Sequence, residues 1–231
     1  MTGPLLRRFH RDERGLTLIE LMVAMSMSII IIIAVGGFFI ASTKAAKTDS
    51  TSETSIRQAS NMMDAMTQYV HAATVLPVSG GSPVAAVEVA KPTDLVFYAY
   101  VNLTNGTVTQ PVQVEYTLDG SNNLVEKIWN IASSTGGYFT FNSYTTAPDR
   151  TVVLGGPIAS PTSDGTSLFT YLDANGNALA SPGTGLGLIR AVQVNLEVGS
   201  TTAGTAGDTH IQSTLYLFNV GYSATTASPS P

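Results

Sequence analysis

The 231-residue chain contains no cysteine. That excludes disulfide frameworks, thiolate metal sites, cysteine nucleophiles and a lipidated-cysteine anchor. Charge is scarce as well. Asp, Glu, Lys and Arg make up 12% of the residues, about half of the roughly 25% usual in soluble domains. The balance is acidic, 16 against 11, for a formal net charge of −5. Nucleic-acid binders carry a basic face, so no direct nucleic-acid site is legible. The three histidines, at 10, 71 and 210, are far apart, and no His-Glu-x-x-His or Gly-x-Ser-x-Gly occurs. Asp173-Ala-Asn-Gly-Asn177 has the start of a calcium loop, but an EF-hand needs Gly at its sixth position and Glu at its twelfth. Ala178 and Thr184 stand there, so a hairpin turn is the reading. Gly183-Thr-Gly-Leu-Gly187 lacks the third glycine of a dinucleotide loop and precedes a strand, so it reads as a flexible loop. Asn102 and Asn105 start glycosylation sequons by pattern and read as plain loop residues. Trp129, the single tryptophan, reads as a sheet or core aromatic. No catalytic constellation, metal site or cofactor is expected.

What the chain does have is one long apolar run behind a basic start. Residues 1–15 hold Arg7, Arg8, Arg11 and Arg14 against Asp12 and Glu13, and residues 21–43 carry no charge. The stretch 21–41, at 1.5 Å rise per residue, is about 31 Å long, enough to cross a bilayer core. The basic flank precedes it, which places the N-terminus in the cytoplasm and the remainder outside. A cleaved secretory signal has a shorter apolar core, about 7–15 residues. A twin-arginine signal would turn apolar where Asp12, Glu13 and Arg14 stand. A plain signal anchor fits the length but leaves Glu20 unexplained. Starting the membrane segment at Leu16 puts that carboxylate inside it, where ionisable residues are expensive and functional.

The string Arg14-Gly15-Leu16-Thr17-Leu18-Ile19-Glu20 resembles the processing motif of the type IV pilin and pseudopilin family. The resemblance implies that a prepilin peptidase cuts between Gly15 and Leu16 and methylates the new N-terminus on Leu16. Thr17, Leu18 and Ile19 fill the motif, and Glu20 becomes the fifth mature residue, the family's assembly carboxylate. Removing residues 1–15 leaves 7 basic and 14 acidic side chains. The implied partners are the prepilin peptidase, other pilin or pseudopilin subunits met through the N-terminal helix, the inner-membrane assembly platform and the lipid bilayer. The implied location is the cytoplasmic membrane as a single-pass protein with its head outside, then a pilus or pseudopilus.

Residues 42–75 contain no Gly or Pro, and Ile56, Ala59, Met63, Met66, Val70 and Ala73 recur at spacings of 3 and 4. This predicts an amphipathic continuation of the helix over 42–76, its stripe packed on a sheet, with Pro77 and Gly80-Gly81 as the stop. Gly36-Gly37 is a place for local softening or close helix packing. From residue 84 the pattern turns to short alternating runs. Strands are expected at 94–103, 112–118, 124–131, 152–154, 168–172, 188–198 and 211–222, with turns at Asn105-Gly106, Asp119-Gly120 and Asn175-Gly176. Residues 133–146 and 199–209 read as Ser/Thr- or Gly/Thr-rich loops, His210 as a loop residue, and 223–231 as a disordered tail. The expected fold is α+β: a long N-terminal helix, transmembrane over 16–41, packed on an antiparallel sheet head over 84–222. The head pattern is similar to PilW-type minor pilins and J-type pseudopilins. That implies a minor pilus subunit acting at initiation or at the tip. A type II secretion pseudopilin is the alternative, and a signal-anchored binding module such as an adhesin is a reading from another class.

Overall fold

The computed structural model describes residues 17–79, 81–101, 110–205 and 208–220. Two compact units are present, Met1–Lys47 and Thr48–Pro231. The boundary falls inside one uninterrupted helix, α1 (Leu18–His71).

In the first unit every described residue is exposed. A helix that is apolar all round has no stripe to turn inward; its natural surroundings are hydrocarbon. Three of its hydroxyls are satisfied within the helix. Ser26 and Ser28 donate to the carbonyls of Met22 and Ala24, each at 2.8 Å, and Thr43 to that of Phe39 at 2.8 Å. This back-bonding hides polar groups from lipid. The helix continues through Gly36 and Gly37, and a Cβ added at either would meet nothing within 4 Å.

The second unit is built around the rest of α1. Its buried residues are Ser55, Ala59, Met62, Met63, Met66, Tyr69 and Val70, followed by Ala73. The predicted stripe is therefore corrected at one position: Ile56 is 48% exposed, and Ser55, Met62 and Tyr69 join the buried face. A seam of period 3.5 suits one partner helix, whereas packing on sheets needs a broader face that follows the 3.6 period. The helix also stops at His71, short of the predicted 76. There the chain leaves to pair with a strand, through Thr74 N–H to Tyr98 O (2.9 Å) and Tyr100 N–H to Ala72 O (3.1 Å). The Asn219 side-chain amide donates to the His71 carbonyl at 3.3 Å.

Two antiparallel sheets carry most of the head. The first has the order β1 (Val87–Lys91), β2 (Asp94–Tyr100), β3 (Pro111–Leu118), β4 (Leu124–Trp129), β7 (Arg150–Gly155). In the second, β10 (Ala191–Val198) lies between β11 (Thr209–Tyr216) on one side and β8 (Ile158–Ala159) and β9 (Phe169–Leu172) on the other. The strand β10 alternates cleanly, with Val192, Val194, Leu196 and Val198 in the core. Strands β2 and β3 are buried on both faces; β2 reads accordingly as a nearly continuous apolar run, whereas β3 alternates and buries the polar Gln113 and Glu115 on the face away from the core. Phe97, Val114, Tyr116, Leu124 and Ile128 from the first sheet share one core with the helix stripe and with β10. Tyr171 O–H, on β9, donates to the Lys91 carbonyl at 2.8 Å and ties the second sheet to the β1–β2 turn.

One ion pair enters the core. Glu126 faces α1 with 2% exposure. Arg150 Nη2 reaches it at 2.7 Å and the Tyr116 hydroxyl at 3.0 Å. A buried carboxylate left without its cation would be strongly destabilising.

The turns explain the hairpins. Asp119 accepts the N–H groups of Ser121 (2.8 Å) and Asn123 (2.9 Å) and so closes β3 onto β4. Gly156 has φ +148, and a Cβ there would lie 2.8 Å from the Asn123 Cα, so only glycine lets the chain pass this turn. Several expected strands end differently. The strand expected over 94–103 stops at Tyr100, that over 124–131 at Trp129, and the last one begins at Thr209 and ends at Tyr216. The strand expected from 188 begins at Ala191, because residues 182–188 form two 3₁₀ turns, Pro182–Thr184 and Leu186–Leu188, in place of the flexible loop. His210 lies in β11, not in a loop. Residues 133–146 contain a hairpin, β5 (Ser133–Thr135) and β6 (Tyr138–Thr140), whose two connecting residues are Gly136 (φ +60) and Gly137 (φ +83). Both central residues at positive φ make a type I′ turn. The strands β1 and β8 were not anticipated. Asn105-Gly106, both sequons and the tail 223–231 lie outside the described residues.

Met66→Ala is expected to cost about 2–5 kcal/mol, because a fully buried side chain is removed. Ile56→Ala should change stability by no more than about 0.5 kcal/mol. Chemical denaturation of the full chain in detergent, followed by Trp129 fluorescence, checks both; equal losses would contradict the broadened stripe.

Candidate functional site

The described part of the processing motif is Thr17-Leu18-Ile19-Glu20; Gly15 and Leu16 lie outside the described residues. Thr17 stands just before the first turn of α1, and Glu20 is the third helical residue. The two side chains bond reciprocally. Glu20 Oε2 accepts the Thr17 N–H at 2.9 Å and the Thr17 hydroxyl at 3.0 Å, while the Glu20 N–H donates to Thr17 Oγ1 at 3.3 Å. This is a capping box, in which a Thr and a Glu three residues apart satisfy helix-end N–H groups. The carboxylate also sits at the positive end of the helix dipole. Leu18 and Ile19, 77% and 69% exposed, present bare apolar surface beside it. The site thus offers an oriented anion at the head of an apolar rod. Sequence reasoning found Glu20 by its oddity in an apolar run but missed the capping role of Thr17. The signal was present, since Thr-x-x-Glu before an apolar run is itself a helix-start pattern.

The head residues singled out in the sequence are not brought together. Asp173 spends its carboxylate on its own turn, accepting the N–H groups of Asn175 (2.8 Å) and Asn177 (2.9 Å). The Asn177 N–H in particular holds its pKa below the usual carboxylate range. His71 ends α1, its ring 4.7 Å from that of Phe218. His210 sits opposite Glu197 in the β10–β11 pair. Trp129 is buried, its indole N–H donating to the Thr146 carbonyl at 3.2 Å. Among the described residues no group of three or more His, Asp and Glu side chains could hold a metal ion. One described helix, α1, is long and apolar enough to cross a membrane.

Residues 10–37 match a protein-family model described as the prokaryotic N-terminal methylation motif. The chain carries a type IV prepilin motif. The match takes in the motif and the first part of the apolar helix, and the sheets lie outside it. No curated protein matches the chain. The prepilin motif implies processing by a prepilin peptidase and pilus assembly. Together with the exposed apolar helix it indicates anchoring in the inner membrane before assembly. Pilins and pseudopilins are typically structural subunits, not enzymes, and the α+β architecture of a long N-terminal helix packed on antiparallel sheets is pilin-like.

Thr17→Val keeps the shape and removes the cap. It is expected to destabilise the first turn by about 0.5–2 kcal/mol, with Thr17→Ser close to wild type. Faster amide exchange at Leu18, Ile19 and Glu20 in micelles would show it; equal exchange in Val and Ser variants would mean that the hydroxyl does not cap.

Proposed function

We propose that the chain is a minor subunit of a type IV pilus, cut between Gly15 and Leu16, methylated on Leu16 and assembled through its N-terminal helix. The observation that carries this is the prepilin motif set at the capped start of a helix with no buried residue over its apolar half. Gly15 has no side chain, so a peptidase can approach the extended backbone closely. Cleavage frees an ammonium on Leu16, and methylation keeps its charge. In a filament, that ammonium and the Glu20 carboxylate of a neighbouring copy meet where little water competes. Such a pair is a weak source of stability but a strong source of register, because an unpaired carboxylate in that setting is costly. Glu20 then sets the axial step between subunits. The bilayer holds the subunit until assembly, and an inner-membrane platform driven by a separate ATPase supplies the energy. The head's strand pattern supports a place at initiation or at the tip. A type II secretion pseudopilus uses the same motif and is the second reading. Loss of surface filaments or of DNA uptake on deletion favours a pilus, and loss of secreted enzymes favours the pseudopilus.

Intact-mass and N-terminal peptide analysis of the protein from its native membrane should find a chain that begins at Leu16 and carries one added methyl group. Glu20→Ala, processed normally, should enter filaments far less than wild type. A chain that retains residues 1–15 in cells with active peptidase would overturn the proposal in favour of an anchored binding module, for which Glu20 is indifferent. Normal incorporation of the processed Glu20→Ala chain would overturn the register role alone.

A further inference from the structure

An open β-sheet has two edges, and an edge strand shows a row of unpaired N–H and C=O groups to its surroundings. Proteins blunt such edges with charge, proline, a bulge, shortness or a covering segment. The edge strand β1 has a register shift between Val87 and Val89, Lys91 at its end, and the two 3₁₀ turns lying against it. On the second sheet β8 is two residues long. The chain after β9 turns back on it, through Leu179 N–H to the Tyr171 carbonyl at 2.9 Å. The edge strand β11 has no such device. It pairs with β10 over eight consecutive residues without a shift, and Thr209–Tyr216 holds no Pro, Lys, Arg, Asp or Glu.

The ladders fix which groups point away. Leu217 N–H donates to the Arg190 carbonyl at 2.9 Å. By alternation, Ile211, Ser213 and Leu215 turn their backbone groups to β10, and His210, Gln212, Thr214 and Tyr216 turn theirs outward. The side chains of these four lie on the face away from the core, because Ile211 and Leu215 pack on it. The far edge of the first sheet repeats the arrangement. Asp119 N–H donates to the Asn123 carbonyl at 3.0 Å, so Val125 and Lys127 of β4 turn to β3, and Glu126 and Ile128 bond to β7. That leaves the backbone groups of Thr151 and Val153 pointing outward, again with side chains on the outer face, since Leu154 packs on the core. Among the described residues no backbone hydrogen bond outside the ladders reaches these outward groups.

The strands β7 and β11 run in opposite senses. The first ends where the second begins: Gly199 N–H donates to the Pro157 carbonyl at 3.1 Å, and Val198 pairs with Ile158 on one side and Thr209 on the other. The strand β11 follows α1. The Thr209 hydroxyl lies 3.5 Å from the Ser52 carbonyl, and the Phe218 ring 4.7 Å from that of His71. Two copies whose α1 helices run side by side in the same sense therefore offer each other antiparallel edges. Residues that exchange hydrogen bonds across such a pair share one face. Here the outward groups of both strands belong to outer-face residues, so a joined sheet keeps one outer and one inner side. Ile211 and Leu215 fall in one inner row with Val152 and Leu154. On the outer side Val153 enters the row of Gln212, Thr214 and Tyr216. Val153 and Tyr216 are 58% and 56% exposed in the single chain.

We propose that β11 of one copy pairs with β7 of a neighbouring copy, joining the second sheet of one head to the first sheet of the next. The contact is heterologous, so it repeats along a filament and does not close a two-fold dimer. It rests on the proposed assembly through side-by-side N-terminal helices and adds to it a contact between heads.

The absence of cysteine makes thiol cross-linking a clean test. Full chains carrying Val153→Cys are mixed in their native membrane with chains carrying Gln212→Cys, Thr214→Cys or Tyr216→Cys. Oxidation should give a disulfide-linked dimer in at least one of the three mixtures. Ser213→Cys, on the inner face, should give none with Val153→Cys. Thr151→Pro, added to the Val153→Cys chain, removes an outward N–H that β4 does not use, and the dimer should be lost. Should that variant fail to fold, the mixtures alone decide. No dimer in any of the three, an equal yield with Ser213→Cys, or a Thr214→Cys chain that links only to itself overturns the proposal. Ile31→Cys, in the apolar helix, reports separately on the helix reading. Helix links without head links remove the strand contact and leave that reading standing.

Discussion

Both sheets close on one strip of helix. Ala59, Met62, Met66 and Val70 are buried to within 1%, and the inner faces of β3 and β10 meet the same core. Small Ala residues let the helix come close to the sheets, and the unbranched Met side chains fill the irregular gaps left by twisted strands. A sheet needs its apolar face covered to be stable. The strip covers two sheets at once, and most other features follow from it. Glu126 must be paired with Arg150 because it faces this core. Gly155 suits its place because a Cβ there would come 3.2 Å from the Met62 sulfur.

The same helix obeys a different rule over its first half. There it buries nothing, and the hydroxyls of Ser26, Ser28 and Thr43 turn back on its own carbonyls. An element of this kind is at ease only in lipid or against others like it. Glu20 is the exception in that run, and the capping bonds to Thr17 show how a carboxylate is held at the head of such a rod. Proximity to helix-end N–H groups offsets part of its desolvation, and the charge remains available for a cation. The two halves of α1 thus belong to one continuous element but rest on separate physics.

Much of this was legible in the residues. The Gly-x-Thr-x-x-Glu string before an uncharged run marks the processing segment, because each position has a local chemical reason. The β3–β4 hairpin is visible in the alternation of Val112, Val114 and Tyr116 and in the Asp119-Gly120 turn. The β5–β6 hairpin was hidden by its composition. Its strands are three residues each and rich in Ser and Thr, and only the two glycines at 136 and 137 betray it. The sharing of β10 between β11 and β8–β9 has no local signature at all.

The sequence alone determined the motif, the apolar run and the amphipathic helix, since these depend on residue type and on spacings of a few positions. Tertiary structure decided where the helix ends, because His71 is followed by a segment that finds a partner in β2. It decided which face of the helix is buried, moving Ile56 out and Met62 in, because two sheets and not one helix lie opposite. It also decided which carboxylates are out of water. Glu115 and Glu126 look alike in the sequence, as charged residues in adjacent strands. One is buried on the outer face of the first sheet beside Lys127 and the other on its inner face beside Arg150, and only long-range packing can set the dielectric around a charge.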